Sequence, residues 1–369
     1  MKGEIAIIYL DHAATTPICE AAKKSIIKHF DDFGNPSSSH ELGRQSRVLI
    51  EDARERIARC INAEPEEIYF TSGGSEANTF ALHDRISVSS IFEHHSVKSI
   101  FKKVLVHSDG IVKKDCFIHI NHPLSNYCEI GSCMYVNNEI GTIQPIKEIA
   151  AIMHGKGMLF HTDAVQAVGH IPVDVKDLNC DMLSASAHKF GGPKGVGFLY
   201  VKNNTALKPL INGGKQEFSK RGGTENILGI VAMAEALEDA VNNMERRNAH
   251  VKKLRDKMLN MLLQVPGSQL NGSLEHRVSG NINIQFSGVS GQRLVTLCSL
   301  YGICISSGSA CNEGVSEPSH VLTSIGLTKE AALNSVRITI GHTNTEEEIE
   351  EAAEIITQLV ERIRLEDEN

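Results

Sequence analysis

From about residue 17 to residue 237 the chain alternates short apolar runs with longer stretches whose apolar positions recur at helical spacing. Runs of strand length fall at 68–70, 88–91, 133–136, 158–161, 182–184 and 196–201. That alternation predicts a mainly parallel sheet covered by helices, an α/β architecture. Nearly every run ends in small or polar residues, and the ligands of open α/β sheets gather beyond the carboxyl ends of the strands. A charged helix spanning 234–265 then leads to a second region. There 278–286 and 335–340 read as strands and 346–364 as an amphipathic helix. At the other end, 1–10 carries a short apolar stretch that breaks at Asp11, which reads as a strand and turn rather than as a signal peptide.

Length and composition narrow this picture. A chain of 369 residues is too long for one small core, so a large domain with a smaller companion is expected. With 37 basic and 45 acidic residues the net charge is −8, and no basic surplus exists to neutralise a nucleic-acid backbone. No apolar run has membrane-spanning length, so a soluble, cytoplasmic protein is expected. The nine cysteines form no CxxC pair and no metal-cage spacing, a scatter that fits a reducing compartment and no bound metal.

Two residues at strand ends point to a cofactor. Lys189 follows the run 182–184 through Ala185-Ser186-Ala187-His188 and precedes Phe190-Gly191-Gly192. A lysine desolvated in such a place can act as a neutral nucleophilic amine. Asp163 ends the run 158–161 and precedes Ala164-Val165-Gln166. A carboxylate there can keep a pyridinium nitrogen protonated, with Gln166 on the ring's phenolic oxygen. Alone, Lys189 is a surface-loop lysine and Asp163 a helix cap; together, each after a strand, they favour pyridoxal phosphate. Thr71-Ser72-Gly73-Gly74-Ser75 opens a helix and offers backbone N–H groups to a phosphate, and His94 follows the run 88–91, where it can stack on an aromatic ring.

Further motifs carry a resemblance. Tyr9-Leu10-Asp11-His12-Ala13-Ala14-Thr15-Thr16-Pro17, Gly34-Asn35-Pro36-Ser37-Ser38, Val136-Asn137-Asn138-Glu139-Ile140-Gly141-Thr142, Ala187-His188-Lys189, Arg221-Gly222-Gly223-Thr224-Glu225-Asn226 and Ser306-Ser307-Gly308-Ser309-Ala310-Cys311 occur in that order. Together they resemble the cysteine desulfurases, class-V aminotransferase-like enzymes of fold-type I. The resemblance implies a seven-stranded, mainly parallel sheet in a large domain at 16–243. The small α/β domain is then built from 1–15 and 244–369.

It further implies that Lys189 carries pyridoxal 5'-phosphate, Asp163 and Gln166 hold its ring, and His94 stacks on it. Gly74, Ser75, Ser186 and His188 would hold the phosphate, with Thr224 reaching across a homodimer. Asn138 and Arg337 would receive the carboxylate of L-cysteine. Cys311, on a glycine- and serine-rich segment, would take the sulfur as a persulfide and pass it to an acceptor protein, an iron–sulfur scaffold or a tRNA-thiolation enzyme. The same motifs also fit a selenocysteine lyase, an aminotransferase or a weakly catalytic sulfur-relay platform. The chain departs from the family pattern at residues 213–220, which lack a glycine-rich run, and at His342, where an arginine is common.

Overall fold

The computed structural model describes residues 6–97, 101–118, 128–307 and 317–367. The chain enters through a two-residue strand, Ile8–Tyr9 (β1). It continues through helices Glu20–Lys28 (α1) and Glu41–Cys60 (α2), strand Ile68–Thr71 (β2), helix Gly74–Leu82 (α3), and strands Ser87–Ser90 (β3), Phe101–Val104 (β4) and Ile130–Ser132 (β5). Helix Ile146–His154 (α4) leads to strands Leu159–Asp163 (β6), Met182–Ser186 (β7) and Gly197–Val201 (β8), then to helices Ile227–Asn242 (α5) and Met244–Leu262 (α6). The last part holds Ser268–Leu270 (β9), Asn281–Phe286 (β10), Gly291–Leu300 (α7), Ile303–Cys304 (β11), Ser306–Ser307 (β12), Ser335–Thr339 (β13) and Glu346–Asp367 (α8).

Seven strands form one sheet in the order β2-β8-β7-β6-β5-β3-β4. Strand β8 runs against both neighbours, and the remaining pairings are parallel. Covered on both faces by helices, β7 and β8 are buried at every position, as continuous apolar runs require. The α/β expectation holds in type and count. The strand expected at 133–136 lies three residues earlier, at Ile130–Ser132, because Ser132 rather than Tyr135 registers with His161 of β6. Likewise the helix expected over 234–265 is two helices. Asn243 leaves helical geometry between them, and its side chain turns back to bond Asp239.

A second, four-stranded antiparallel sheet has the order β12-β13-β10-β9. Its strands show the period-2 division of faces. Ile282, Ile284 and Phe286 of β10, with Val336 and Ile338 of β13, enter a separate apolar cluster with α6 and α8, whereas Asn281, Asn283, Arg337 and Thr339 lie on the other face. Residues from the start of the chain are sewn in: β1 pairs with β11, Ile8 and Leu10 join this cluster, and Thr339 N donates to Leu10 O at 2.7 Å. The short helix His320–Ser324 belongs elsewhere. Val321, Leu322 and Ile325 pack in the core of the seven-stranded sheet.

Residues 217–219 form a left-handed turn, with φ of 43°, 55° and 62° at Glu217, Phe218 and Ser219. Non-glycine residues resist this by about 1–2 kcal/mol each. A buried fork holds it: Arg54 Nη1 and Nη2 donate to Glu217 at 2.9 and 2.8 Å, and Phe70 N donates to the same carboxylate at 2.7 Å. Replacing Arg54 alone strands a buried charge, at a cost of about 3–5 kcal/mol. We therefore expect Arg54→Leu to lower the urea-unfolding midpoint sharply, and Arg54→Leu with Glu217→Leu to recover most of the loss. The chain has no tryptophan, so circular dichroism is the suitable readout. A double variant no more stable than the single one would count against this account.

Candidate active site

Because β8 is antiparallel, the carboxyl ends of β2, β3, β6 and β7 share one edge of the large sheet. From those four ends come, in turn, the start of α3, His94, Asp163, and the turn carrying His188 and Lys189. Asp163 is 4% exposed. Its Oδ1 accepts from Val165 N at 3.0 Å and its Oδ2 from Asn78 Nδ2 at 2.6 Å. Burial raises its carboxyl above the ordinary range, and these donors oppose the rise. Both donors are neutral, so the carboxylate can still gain from a cationic N–H.

Asn78 does more than hold Asp163. Its Nδ2 also donates to Ser96 Oγ at 2.9 Å, and Ser96 Oγ lies 2.7 Å from His94 Nδ1. The Ser96 backbone N–H also donates to His94 Nδ1, at 3.1 Å. A ring nitrogen that accepts an N–H carries no proton, so neutral His94 bears its proton on Nε2. Burial keeps His94 below the usual imidazole range despite the pull of Asp163. Neither Asn78 nor Ser96 was singled out from the sequence. The i, i+4 spacing from Gly74 to Asn78, which puts both on one face of α3, was the available signal.

At the start of α3, Gly73 has φ 149° and ψ −175°, a conformation open essentially to glycine, and no side chain caps the helix. Gly74 faces Val165 and Ser186, and a Cβ there would meet Val165 Cγ2 at 2.6 Å. Ser186 is buried and Ser75 exposed. The uncapped N–H groups and the positive end of the helix dipole make a cradle for an anion. His188 Nδ1 lies 3.1 Å from Thr15 Oγ1, and burial beside Lys189 lowers it to about 4, so its ring is neutral at pH 7. Thr224 stands apart on an exposed turn, tied to this region through Arg221, which pairs with Glu76 of α3 at 2.9 Å.

Lys189 Nζ donates to Ala13 O and Ala14 O, each at 2.7 Å, and Gln166 Nε2 donates to Ala13 O at 2.8 Å. Burial first, and Arg337 second, depress the amine to about 8. Arg337, on the polar face of β13, is 9% exposed. Its Nη1 donates to Asn138 O at 3.1 Å and its Nη2 to Asp11 Oδ1 at 2.9 Å, while among the described residues its buried Nε has no partner. These bonds engage two of the five N–H donors and orient the fork, leaving donors for a carboxylate. Asp11, unassigned in the sequence reading, is the residue that aims it. A cavity of about 400 Å³ runs from Lys189 and Asn138 past Gln166 to His342. Cys311 lies outside the described residues, between Ser307 and Glu317.

Asp163 bonded by neutral donors among the described residues, the uncapped turn at Gly74, the depressed Lys189 amine and the Arg337 donors left over together fit pyridoxal phosphate and an amino-acid carboxylate. The lysine gives a test. The rate at which cofactor-free protein gains colour on adding pyridoxal phosphate should rise with pH along a titration centred near 8, where an ordinary lysine would centre on 10.5. A rate flat between pH 7 and 9 would sink the assignment.

Comparison with known proteins gives the family. Residues 8–351 match the family model described as aminotransferase class-V. The protein named cysteine desulfurase IscS from Dictyoglomus turgidum is 41% identical over 99% of this chain and 96% of its own length. A solved NifS-like protein from Rickettsia africae superposes with a TM-score of 0.88 at 33% identity, covering 96% of this chain and 100% of that one. A third, the structure titled SspA in complex with cysteine, has a TM-score of 0.78 at 32% identity over 91% of this chain and 99% of that one. This chain belongs to the pyridoxal-phosphate-dependent class-V aminotransferase family, within its cysteine desulfurase group.

Proposed function

We propose that this protein takes the sulfur from free L-cysteine, releases L-alanine and holds the sulfur as a persulfide on Cys311 for delivery to an acceptor protein. The observation that carries the reading is that Asp163 and Lys189 share one edge of the large sheet while the Arg337 fork of the second sheet reaches Asn138 and acts on the Lys189 amine. The related protein solved with cysteine supports the substrate. When bound, pyridoxal phosphate supplies a carbonyl to an amine and an electron sink for the bonds to the amino-acid carbon.

The chain's own groups then divide the work. Lys189, with its depressed amine, anchors the cofactor and, when free, moves the substrate's α-proton. Asp163 keeps the pyridine nitrogen protonated, and Gln166 serves the phenolic oxygen. His94 stacks on the ring with its proton fixed on Nε2 by the Ser96 contact. Gly74, Ser75, Ser186 and His188 hold the phosphate, joined by Thr224 of the partner subunit. Arg337 and Asn138 bind the substrate carboxylate. The thiolate of Cys311 attacks the substrate sulfur: a sulfur–sulfur bond forms, the carbon–sulfur bond breaks, and its electron pair leaves as a C–H bond once a proton arrives.

Assembly as a homodimer is supported by Ile27, Phe30, Phe33 and Val48, large apolar side chains at 67–80% exposure on and beside α1 and α2. The separate apolar clusters support a large domain at 16–243 and a small one from 1–15 and 244–369, except that Val321, Leu322, Ile325 and Ala332 pack in the large domain's core. The acceptor is read as an iron–sulfur scaffold or a tRNA-thiolation enzyme in the cytoplasm; among the described residues no helix is long and apolar enough to cross a membrane.

Two outcomes follow. Cys311→Ala should keep the cofactor's visible band but lose alanine production by about a hundredfold or more, and mass spectrometry of the unaltered protein after cysteine treatment should find one added sulfur atom on Cys311. Normal turnover by Cys311→Ala would overturn the proposal. Arg337→Lys should raise KM for cysteine about a hundredfold with a smaller fall in kcat, since a point charge cannot serve Asp11, Asn138 and a carboxylate together. A KM within about twofold of the original would refute that role.

A further inference from the structure

Residues 306–307 and residues 319–325, on either side of Cys311 in the chain, are fixed to different sheets. Before it, Ser306 and Ser307 pair with Arg337 and Val336 of β13, in the second sheet. After it, Val321, Leu322 and Ile325 are buried in the core of the large sheet. Ser319 marks where the chain lands. Its hydroxyl donates to Glu139 Oε2 at 2.5 Å and accepts from Val321 N at 3.1 Å and Leu322 N at 3.3 Å, capping the helix His320–Ser324. Beside it, His320 Nε2 lies 3.0 Å from Glu93 O, and its ring centroid is 4.9 Å from that of His95.

Glu139 is held as firmly as the residue it grips. It is 7% exposed, its N donates to Asn137 Oδ1 at 2.9 Å, and its O accepts from Asn281 Nδ2 at 3.1 Å and Asn283 Nδ2 at 3.2 Å on the polar face of β10. Its neighbour Asn138 takes the Arg337 bond at 3.1 Å. Consecutive residues of one turn therefore touch the carboxylate-binding guanidinium and the root of the Cys311 segment. Among the described residues the Glu139 side chain has Ser319 as its hydrogen-bond partner. Burial raises this carboxyl to about 7, and Ser319 and the nearby charge of Arg337 oppose the rise; a group so buried adds little to stability beside an apolar side chain, so its use lies in placement.

We propose that Glu139 is a positioning residue for sulfur transfer: through Ser319 it ties the landing point of the Cys311 segment to the turn that carries Asn138, so the thiol's reach is set from the substrate's carboxylate pocket. This rests on Cys311 being the sulfur acceptor, as proposed above.

The test uses the cofactor-loaded protein with Glu139→Ala and Ser319→Ala, singly and together, with Ser319→Thr keeping the hydroxyl. Three quantities are read. They are the midpoint of the spectral change on adding L-alanine, kcat for alanine release from cysteine, and the rate of Cys311 alkylation by iodoacetamide followed by peptide mass spectrometry. For the alanine variants we expect an L-alanine midpoint within about twofold of the original, kcat about tenfold lower and Cys311 alkylation several-fold faster. The double variant should be no worse than either single, and Ser319→Thr should restore both rates, as two ends of one contact require. Unchanged kcat and alkylation in Ser319→Ala, which lies away from the cofactor, would overturn the proposal even if Glu139→Ala proved too unstable to load. So would losses that simply add. Cys311→Ala runs alongside: if it turns over normally the acceptor assignment is wrong, whereas if it is dead and Ser319→Ala is normal only this inference fails.

Discussion

A carboxylate buried at the end of a parallel strand is costly unless something cationic meets it, and Asp163 imposes that demand on the whole sheet. Strand β6 delivers it there, β7 brings Lys189 to the same edge, and the turn after β2 brings an uncapped helix start. The antiparallel course of β8 is what lets β2 face the same way as β6 and β7. Were β2 reversed, the phosphate cradle would open on the opposite edge of the sheet. The neutral donors Asn78 and Val165 hold the carboxylate without discharging it, so the site stays set for a ring cation.

The mainly parallel sheet and the lysine and aspartate on its edge were legible because they rest on local signals: continuous apolar runs, small residues at strand ends, glycines where a turn needs them. The local runs numbered six, and the count of seven strands came only with the family resemblance. Arg337 was named only through the family resemblance; in the structure, alternation along Ser335–Thr339 separates it from Val336 and Ile338. What escaped was of longer range. Asp11 meets Arg337 across 326 residues, Glu217 meets Arg54 across 163, and Ser319 meets Glu139 across 180. No local pattern announces such pairs. The left-handed turn at 217–219 was illegible for a further reason: Glu, Phe and Ser do not favour that geometry, and only a buried partner explains it.

The two departures from the family pattern take on physical content. The segment 211–222 closes on itself around residues 213–220: Gly222 N donates to Ile211 O at 2.8 Å, and a Cβ on Gly222 would lie 2.7 Å from Gly213 Cα. His342 lines the far end of the cavity behind Lys189, where burial lowers its pKa and favours the neutral ring. Arg337 is the cation that depresses the Lys189 amine.

The start of the chain has a consequence of its own. Ala13 and Ala14 supply the carbonyls that hold Lys189 and Gln166, Asp11 aims Arg337, and Leu10 and Ala13 bond Thr339. Residues 10–14 are thus completed by a segment more than 320 residues further along the chain. A nascent chain whose large sheet has already formed holds an unfinished pocket until residue 339 emerges, so cofactor capture during synthesis must wait for that strand.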